Sequence, residues 1–217
     1  MKKLALLAAL LPISARAQSA DATLERAVSV YSGMRSIRAE FKQTLTNPLT
    51  GSTANTSGTL LRRKPNLLSI SFTNGDRIVA DGSNLWMYLP SSVPGQVIRQ
   101  SARAAATAAF DPAGEFLTAP RARYDVSAGG SSSVGGRPSH VIVLTPKSRN
   151  AAFTKAKLWV DDADNSVRRF ELTDGNGLTR LIEITRLSVN PSLPRSAFSF
   201  NPPKGVRVVT QPLQQID

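Results

Sequence analysis

The 217-residue chain has no cysteine. That absence excludes a disulfide framework, a thiolate metal site and a thiol nucleophile, and it leaves no residue that could carry a lipoprotein's acyl anchor. A chain of this length can bury enough surface to fold without crosslinks. There is a single histidine, His140, just ahead of the strand-like Val141-Ile142-Val143; alone at a strand start it reads as a structural residue, not a base. Ser131 to Ser133 sit in a glycine-rich stretch with no second histidine to draw on. There is no G-x-S-x-G elbow, P-loop or dinucleotide fingerprint. Asp161-Asp162-Ala163-Asp164-Asn165 lacks the spaced glycine and distal glutamate of a calcium loop and reads as a turn. The residues therefore predict no enzyme, no catalytic residue, no cofactor and no metal.

Aromatic residues make up 6% of the chain, and the surplus of basic residues is scattered, with a net charge of +12. Without aromatic interleaving or a basic helical stripe, this pattern does not predict nucleic-acid binding. Anionic headgroups or an acidic partner fit it better, and so does a merely solvated basic surface. Long hydrophobic runs are also missing. The one apolar run, Leu4 to Ile13, is about ten residues, too short for a bilayer core of roughly 30 Å. It follows Lys2-Lys3 and precedes Ala15-Arg16-Ala17, the pattern of a signal peptide over residues 1–17 cleaved after Ala17. Loss of Lys2, Lys3 and Arg16 leaves a net charge of about +9. Residues 18–217 contain no linker and read as one domain.

What the chain does contain is strand signal. In Gly58 to Pro90, Leu68, Ile70 and Phe72 alternate with Ser69, Ser71 and Thr73, the period of a strand with one apolar face. Asn74-Gly75 and Asp81-Gly82 supply tight turns, so the stretch predicts an antiparallel meander running out through Leu85 to Leu89. Ahead of it, Asp21 to Gly33 predicts a helix capped by Ser19 or Asp21, with Leu24, Val28 and Tyr31 on one stripe. Ile37, Ala39 and Phe41 then begin a strand, and Asn47 to Asn55 is a connection. After a short strand at Gln96 to Arg99, Ser101 to Thr107 predicts a helix that breaks near Asp111-Pro112, and Pro112 to Leu117 predicts a further turn carrying Phe116 and Leu117. Arg123 to Ala128, Ser139 to Leu144, Lys155 to Val160, Ser166 to Leu172 and Gly177 to Leu187 follow as strands, with Gly129 to Gly136 as a hairpin tip. Phe198 to Val209 predicts an edge segment limited by its prolines. Apolar residues on both faces of such a sheet fit either an ordinary packed core or a pocket under loosely packed helices.

Six phrases in order carry a resemblance: Phe41-Lys42-Gln43-Thr44, Gly58-Thr59-Leu60, Lys64-Pro65-Asn66-Leu67, Asp81 to Pro90, Val143 to Lys147 and Phe200 to Val206. Together they make the chain similar to the LolA family of periplasmic lipoprotein carriers. The resemblance implies a mainly β (α+β) fold, an incomplete antiparallel barrel of about eleven strands with helices covering its concave face. It implies a cavity for acyl chains, to which we assign Tyr31, Leu68, Ile70, Phe72, Trp86, Tyr88, Phe116 and Leu117. Leu85, Met87 and Leu89 compete with Trp86 and Tyr88 for that face; amphipathic rings at a lipid-water rim are the warrant for the latter. Lys64 stands where the family usually has an arginine that holds a helical lid closed. The implied function is a monomeric periplasmic chaperone with acylated lipoproteins as cargo, taking them from an inner-membrane lipoprotein-releasing ABC transporter to an outer-membrane receptor. The alternative is a carrier or sensor for another amphiphile, such as a glycolipid, pigment or polyketide.

Overall fold

In the computed structural model, which describes residues 19–101 and 111–211, twelve strands form one sheet in the order β12-β6-β5-β4-β3-β2-β1-β11-β10-β9-β8-β7. The strands are β1 Ser36–Thr46, β2 Thr53–Arg63, β3 Leu67–Phe72, β4 Arg77–Asp81, β5 Asn84–Tyr88, β6 Gln96–Ser101, β7 Tyr124–Val134, β8 Arg137–Pro146, β9 Lys155–Asp161, β10 Val167–Thr173, β11 Thr179–Val189 and β12 Arg207–Thr210. Two meanders, β1 to β6 and β7 to β11, meet where β1 pairs with β11, Ile37 opposite Val189. All pairings are antiparallel except β12 with β6. The sheet is thus the expected open antiparallel one, with one strand more. The predicted hairpin tip Gly129 to Gly136 is mostly strand: β7 runs to Val134 around a bulge between Ala128 and Ser131, and only Gly135 and Gly136 turn. A bulge absorbs the irregularity that the Gly/Ser run signals in sequence as a loop.

Helix α1 spans Ala20–Gly33, its Ser19 side chain accepting from the Ala22 amide as an N-cap. Helix α2 is Pro112–Leu117 and α3 is Pro120–Arg123. The helix expected over Ser101 to Thr107 lies outside the described residues apart from Ser101, which ends β6. Leu24, Ala27 and Tyr31 of α1 and Phe116 and Leu117 of α2 are buried with Ile142, Leu144, Leu158 and Phe170, so the helices cover the concave face of the β7 to β10 side. No helix among the described residues is long and apolar enough to cross a membrane.

The convex face is covered differently. β11 and β12 lie far apart in the sheet, so residues 190–206 must cross the back of it as a strap. Leu193 and Phe198 of the strap pack on Leu67. Arg63 donates to the Leu193 carbonyl at 2.6 Å, and Arg195 to the Asp81 carbonyl at 2.5 Å. Both faces of β3 are therefore buried, which is why its sequence is apolar at Leu67 as well as at Leu68 and Ile70.

Candidate functional site

The register lays the concave wall out in cross-strand rows. Ile37, Arg62, Leu68, Ala80 and Leu85 form the deepest row; Ala39, Leu60, Ile70, Ile78 and Met87 the next; then Phe41, Gly58 and Phe72; then Gln43 and Thr56; then Leu45 and Ala54. Side chains in a row share a face because both strand partners alternate with period two. Phe41 and Phe72 meet edge to face, centroids 5.6 Å apart. Gly58 makes their row possible: a Cβ there would lie 2.8 Å from the Phe41 ring and 2.4 Å from the Ser71 carbonyl oxygen.

Two apolar clusters occupy this face. One joins α1 and α2 to β7 through β10; the other is Phe41, Leu68, Ile70, Ile78, Ala80 and Leu85, and Leu60, Ile182 and Ile184 touch both. Between them lies a cavity of about 510 Å³, within the roughly 300–1,000 Å³ typical of small-molecule sites. Its wall is apolar for most of its depth, with Ala39, Phe41, Ile70, Ile182 and Ile184 from the sheet and Ala27, Met34 and Leu117 from the helices and their ends. Toward the open end it becomes polar, with Gln43, Thr56, Asn74, Asp76 and Arg180.

Of the residues assigned from sequence, Tyr31, Ile70, Phe72 and Leu117 line this cavity. Leu68 shares their face but is wholly buried against Ala80 and Leu85, so it supports the wall and does not line it. Phe116 is likewise buried behind the cavity, 5.4 Å from the Phe153 ring and 6.2 Å from Phe170. Trp86 and Tyr88 are on the other face: their rings lie 5.9 and 6.1 Å from Phe200, and the Trp86 indole donates to Asp81 at 2.8 Å. On β5 the competing set wins the concave side, with Leu85 in the cluster and Met87 and Leu89 packed against it. Strap residue Phe200 gives the aromatic pair a reason to face the back.

Lys64 is exposed and donates to the Ser32 carbonyl at 2.7 Å, in the last turn of α1 where an orphan carbonyl and the helix dipole favour a cation. A residue that sequence reasoning missed makes the larger contact. Arg62, two positions earlier on the same face, is 8% exposed and pairs with Asp111 at 3.1 Å. Its guanidinium also donates to the Met34 carbonyl at 3.3 Å and to the Tyr31 hydroxyl, over whose ring it sits at 4.4 Å. Tyr31 donates in turn to Asp111 Oδ2 at 2.7 Å, while Asp111 Oδ1 caps α2 by accepting from Gly114 at 3.1 Å. Burial first, and then the Asp111 carboxylate, push the Tyr31 pKa well up. One carboxylate thus joins α1, α2 and β2 at the deep end. The signal that could have found Arg62 is its even spacing from Leu60. His140, hydrogen-bonded to Asp162 at 2.5 Å, does not line the cavity.

Residues 32–201 match the family model described as Outer membrane lipoprotein carrier protein LolA. The chain is 27% identical over 209 residues to the outer-membrane lipoprotein carrier protein of Dechloromonas aromatica, covering 93% of this chain and 92% of the relative. It is 29% identical over 183 residues to that of Chromobacterium violaceum, covering 82% and 83%. Among solved structures, an uncharacterized conserved protein from Thermus thermophilus superposes with a TM-score of 0.57 at 14% identity, over 88% of this chain and 99% of that one. At that identity the likeness concerns the fold alone.

Proposed function

The chain belongs to the LolA family of outer membrane lipoprotein carrier proteins, and from that membership we propose that it takes acylated lipoproteins from an inner-membrane releasing transporter and delivers them to an outer-membrane receptor. Proteins of this family are periplasmic carriers and not enzymes. In this reading residues 1–17 are an export signal removed after Ala17, and the acyl chains of the cargo enter the concave cavity. The observation that carries the proposal is the cavity itself, a space of about 510 Å³ walled by apolar side chains and open at one end. Each buried methylene contributes about 0.8 kcal/mol, so an acyl chain of ordinary length holds firmly in such a wall. Release then requires an opposing cost, and the helices lying over the cavity are where that cost would arise. Lys64, tied to the end of α1, is proposed as one latch of that cover, and Arg62 as a second.

The test is to fill the cavity. Ile182 lines it and is only half-buried, so Ile182→Trp should occupy the space while leaving the sheet intact. We expect the variant to fold, by circular dichroism, and to fail to accept a lipoprotein released from inner-membrane vesicles. Undiminished loading of a folded Ile182→Trp protein would overturn the proposal. Mass spectrometry of lipid extracted from the native protein identifies any other amphiphile it carries.

A further inference from the structure

Among the described residues Leu49 is 82% exposed, well above the other exposed large hydrophobic side chains, Val189 at 48% and Val208 at 42%. It stands in the loop 47–52 between β1 and β2, beyond the row in which Lys155, Thr173, Thr179, Thr46 and Thr53 face one another across five strands. That row ends the tall side of the sheet. β2 pairs with β3 only from Gly58 onward, so residues 53–57 rise roughly 17 Å past that pairing. Leu45 and Ala54, next to the loop on its two strands, line the open end of the cavity.

The loop holds Leu49 outward by closing on itself. The Leu49 amide donates to Asn47 Oδ1 at 3.0 Å, the Asn47 amide to the Ser52 carbonyl at 2.9 Å, and the Thr50 and Ser52 hydroxyls meet at 2.7 Å. Pro48 brings no amide, and its Cγ lies 3.2 Å from the point a Cβ on Gly177 would occupy. A turn satisfied in this way can leave water with few backbone donors stranded.

The charge at this end is one-sided. Three loops lie beyond the row, 47–52, 147–154 and 174–178, and their only carboxylate is Asp174, which accepts from the Asn176 and Leu178 amides at 2.9 Å each. Arg149, Lys155 and Arg180, in and beside these loops, are exposed and form no ion pair among the described residues. At the other end of β9 the charges are matched instead: Arg137 and Arg168 pair with Asp161 and Asp164.

We propose that this edge docks on an anionic membrane surface, with Leu49 entering the boundary between headgroups and hydrocarbon and Arg149, Lys155 and Arg180 set against phosphates. A bilayer supplies both halves of the match, negative charge over a wide area and an apolar layer just beneath it. An acidic protein supplies the first half and needs a pocket placed for Leu49 to supply the second. Docked this way, the cavity opens toward the bilayer, and an apolar ligand passes between them with little exposure to water. One leucine and a few cations give weak, reversible attachment, so the protein can leave again. The inference does not depend on which ligand the cavity holds.

The test is flotation of the purified protein with vesicles of phosphatidylcholine, alone or mixed with phosphatidylglycerol. The protein should float with the mixed vesicles only, and salt at about 1 M should release it, because screening then leaves a reach of about 3 Å. Leu49→Asp, and Lys155→Glu combined with Arg180→Glu, should each weaken vesicle binding about tenfold. Because the chain has no cysteine, Leu49→Cys can carry a single environment-sensitive dye. Its emission should shift to the blue on mixed vesicles, while the same dye on Ala163→Cys, exposed at the other end of the sheet, does not respond. Equal flotation on both vesicle types, flotation on neither, or binding that either variant leaves undiminished overturns the proposal. So does a blue shift at position 163 in place of 49. Retention on immobilised polyglutamate without flotation assigns the edge to an acidic protein instead. None of these outcomes bears on acyl loading, which the Ile182→Trp test reads separately.

Discussion

Asp111 uses its two carboxylate oxygens for different tasks, one capping α2 and the other holding Tyr31 and Arg62. Breaking a buried pair strands the surviving charge, whereas replacing both partners removes the desolvation cost as well. We therefore expect Arg62→Met to cost about 3–5 kcal/mol in urea unfolding, and Arg62→Met with Asp111→Leu to cost less than the sum of the two single changes. Additive losses would show that the pair is not energetically coupled.

Protonation gives a second expectation. Burial raises the pKa of Asp81, Asp161 and Asp164, but hydrogen bonds outweigh it, from Asn84, Trp86 and Ser83 for Asp81, Arg137 and Ala163 for Asp161, and Ser166 for Asp164, so all three end below the usual carboxylate value. A depressed carboxylate stabilises the fold above its unfolded pKa and loses that contribution as pH falls through the folded one. Tyr31 and Tyr124 are shifted the other way, chiefly by burial and then by Asp111 and Glu115 respectively. Their folded state holds the proton, so stability declines as pH rises past the unfolded phenol pKa of about 10. Melting temperature against pH should fall at both ends, below about pH 4 and above about pH 10, and Tyr31→Phe should flatten the alkaline limb. An unchanged alkaline limb in that variant would count against the Tyr31 assignment.

Among the elements, α1 is fastened at its C-terminal end by Lys64 and Arg62 and along its flank by Arg121, which pairs with Glu25 at 2.7 Å on the exposed surface. Exposed pairs contribute little, so the buried attachment dominates. Lys64 offers a single bond on a flexible stem where arginine could reach several carbonyls. If the cover opens for cargo, Lys64→Leu should slow transfer of bound lipoprotein to the receptor by favouring the loaded form, and Lys64→Arg should reduce loading. Wild-type transfer by Lys64→Leu would sink the latch. On β5, Trp86→Ala should lower stability by about 3 kcal/mol through lost packing on Phe200, yet leave acyl binding unchanged. Loss of binding in a folded Trp86→Ala variant would return the ring to the cavity.

These elements also mark how far the sequence can be read. The alternation of Leu68, Ile70 and Phe72 locates a strand and its inward face, because burial on that face imposes period two. It cannot say that Leu68 lies a row too deep to touch the cavity, since depth depends on what packs above. Sequence alone puts Trp86 and Tyr88 on the wrong face because β5 is apolar on both, and the strap that covers its back comes from residues more than a hundred positions later in the chain. Arg62 escapes notice beside Arg63 and Lys64 because a charge in a strand ordinarily faces water. Its partner Asp111 is 49 residues away, and no local pattern joins them.

For the whole molecule, the pairing of β1 with β11, from Ile37 opposite Val189 to Thr46 opposite Thr179, governs when the fold can form. The first strand to emerge during synthesis or export waits for the eleventh, and until then its outer edge offers unmatched amide and carbonyl groups to any passing chain. Contacts so distant in sequence bring slow folding, since most of the polypeptide must be ordered before the two meanders join. Folding is therefore expected to reach completion only once β11 is available, and the half-formed sheet is the species most exposed to aggregation and to proteases. The fold's widest span in sequence, at the seam beside its cavity, also sets how long that edge stays unpaired.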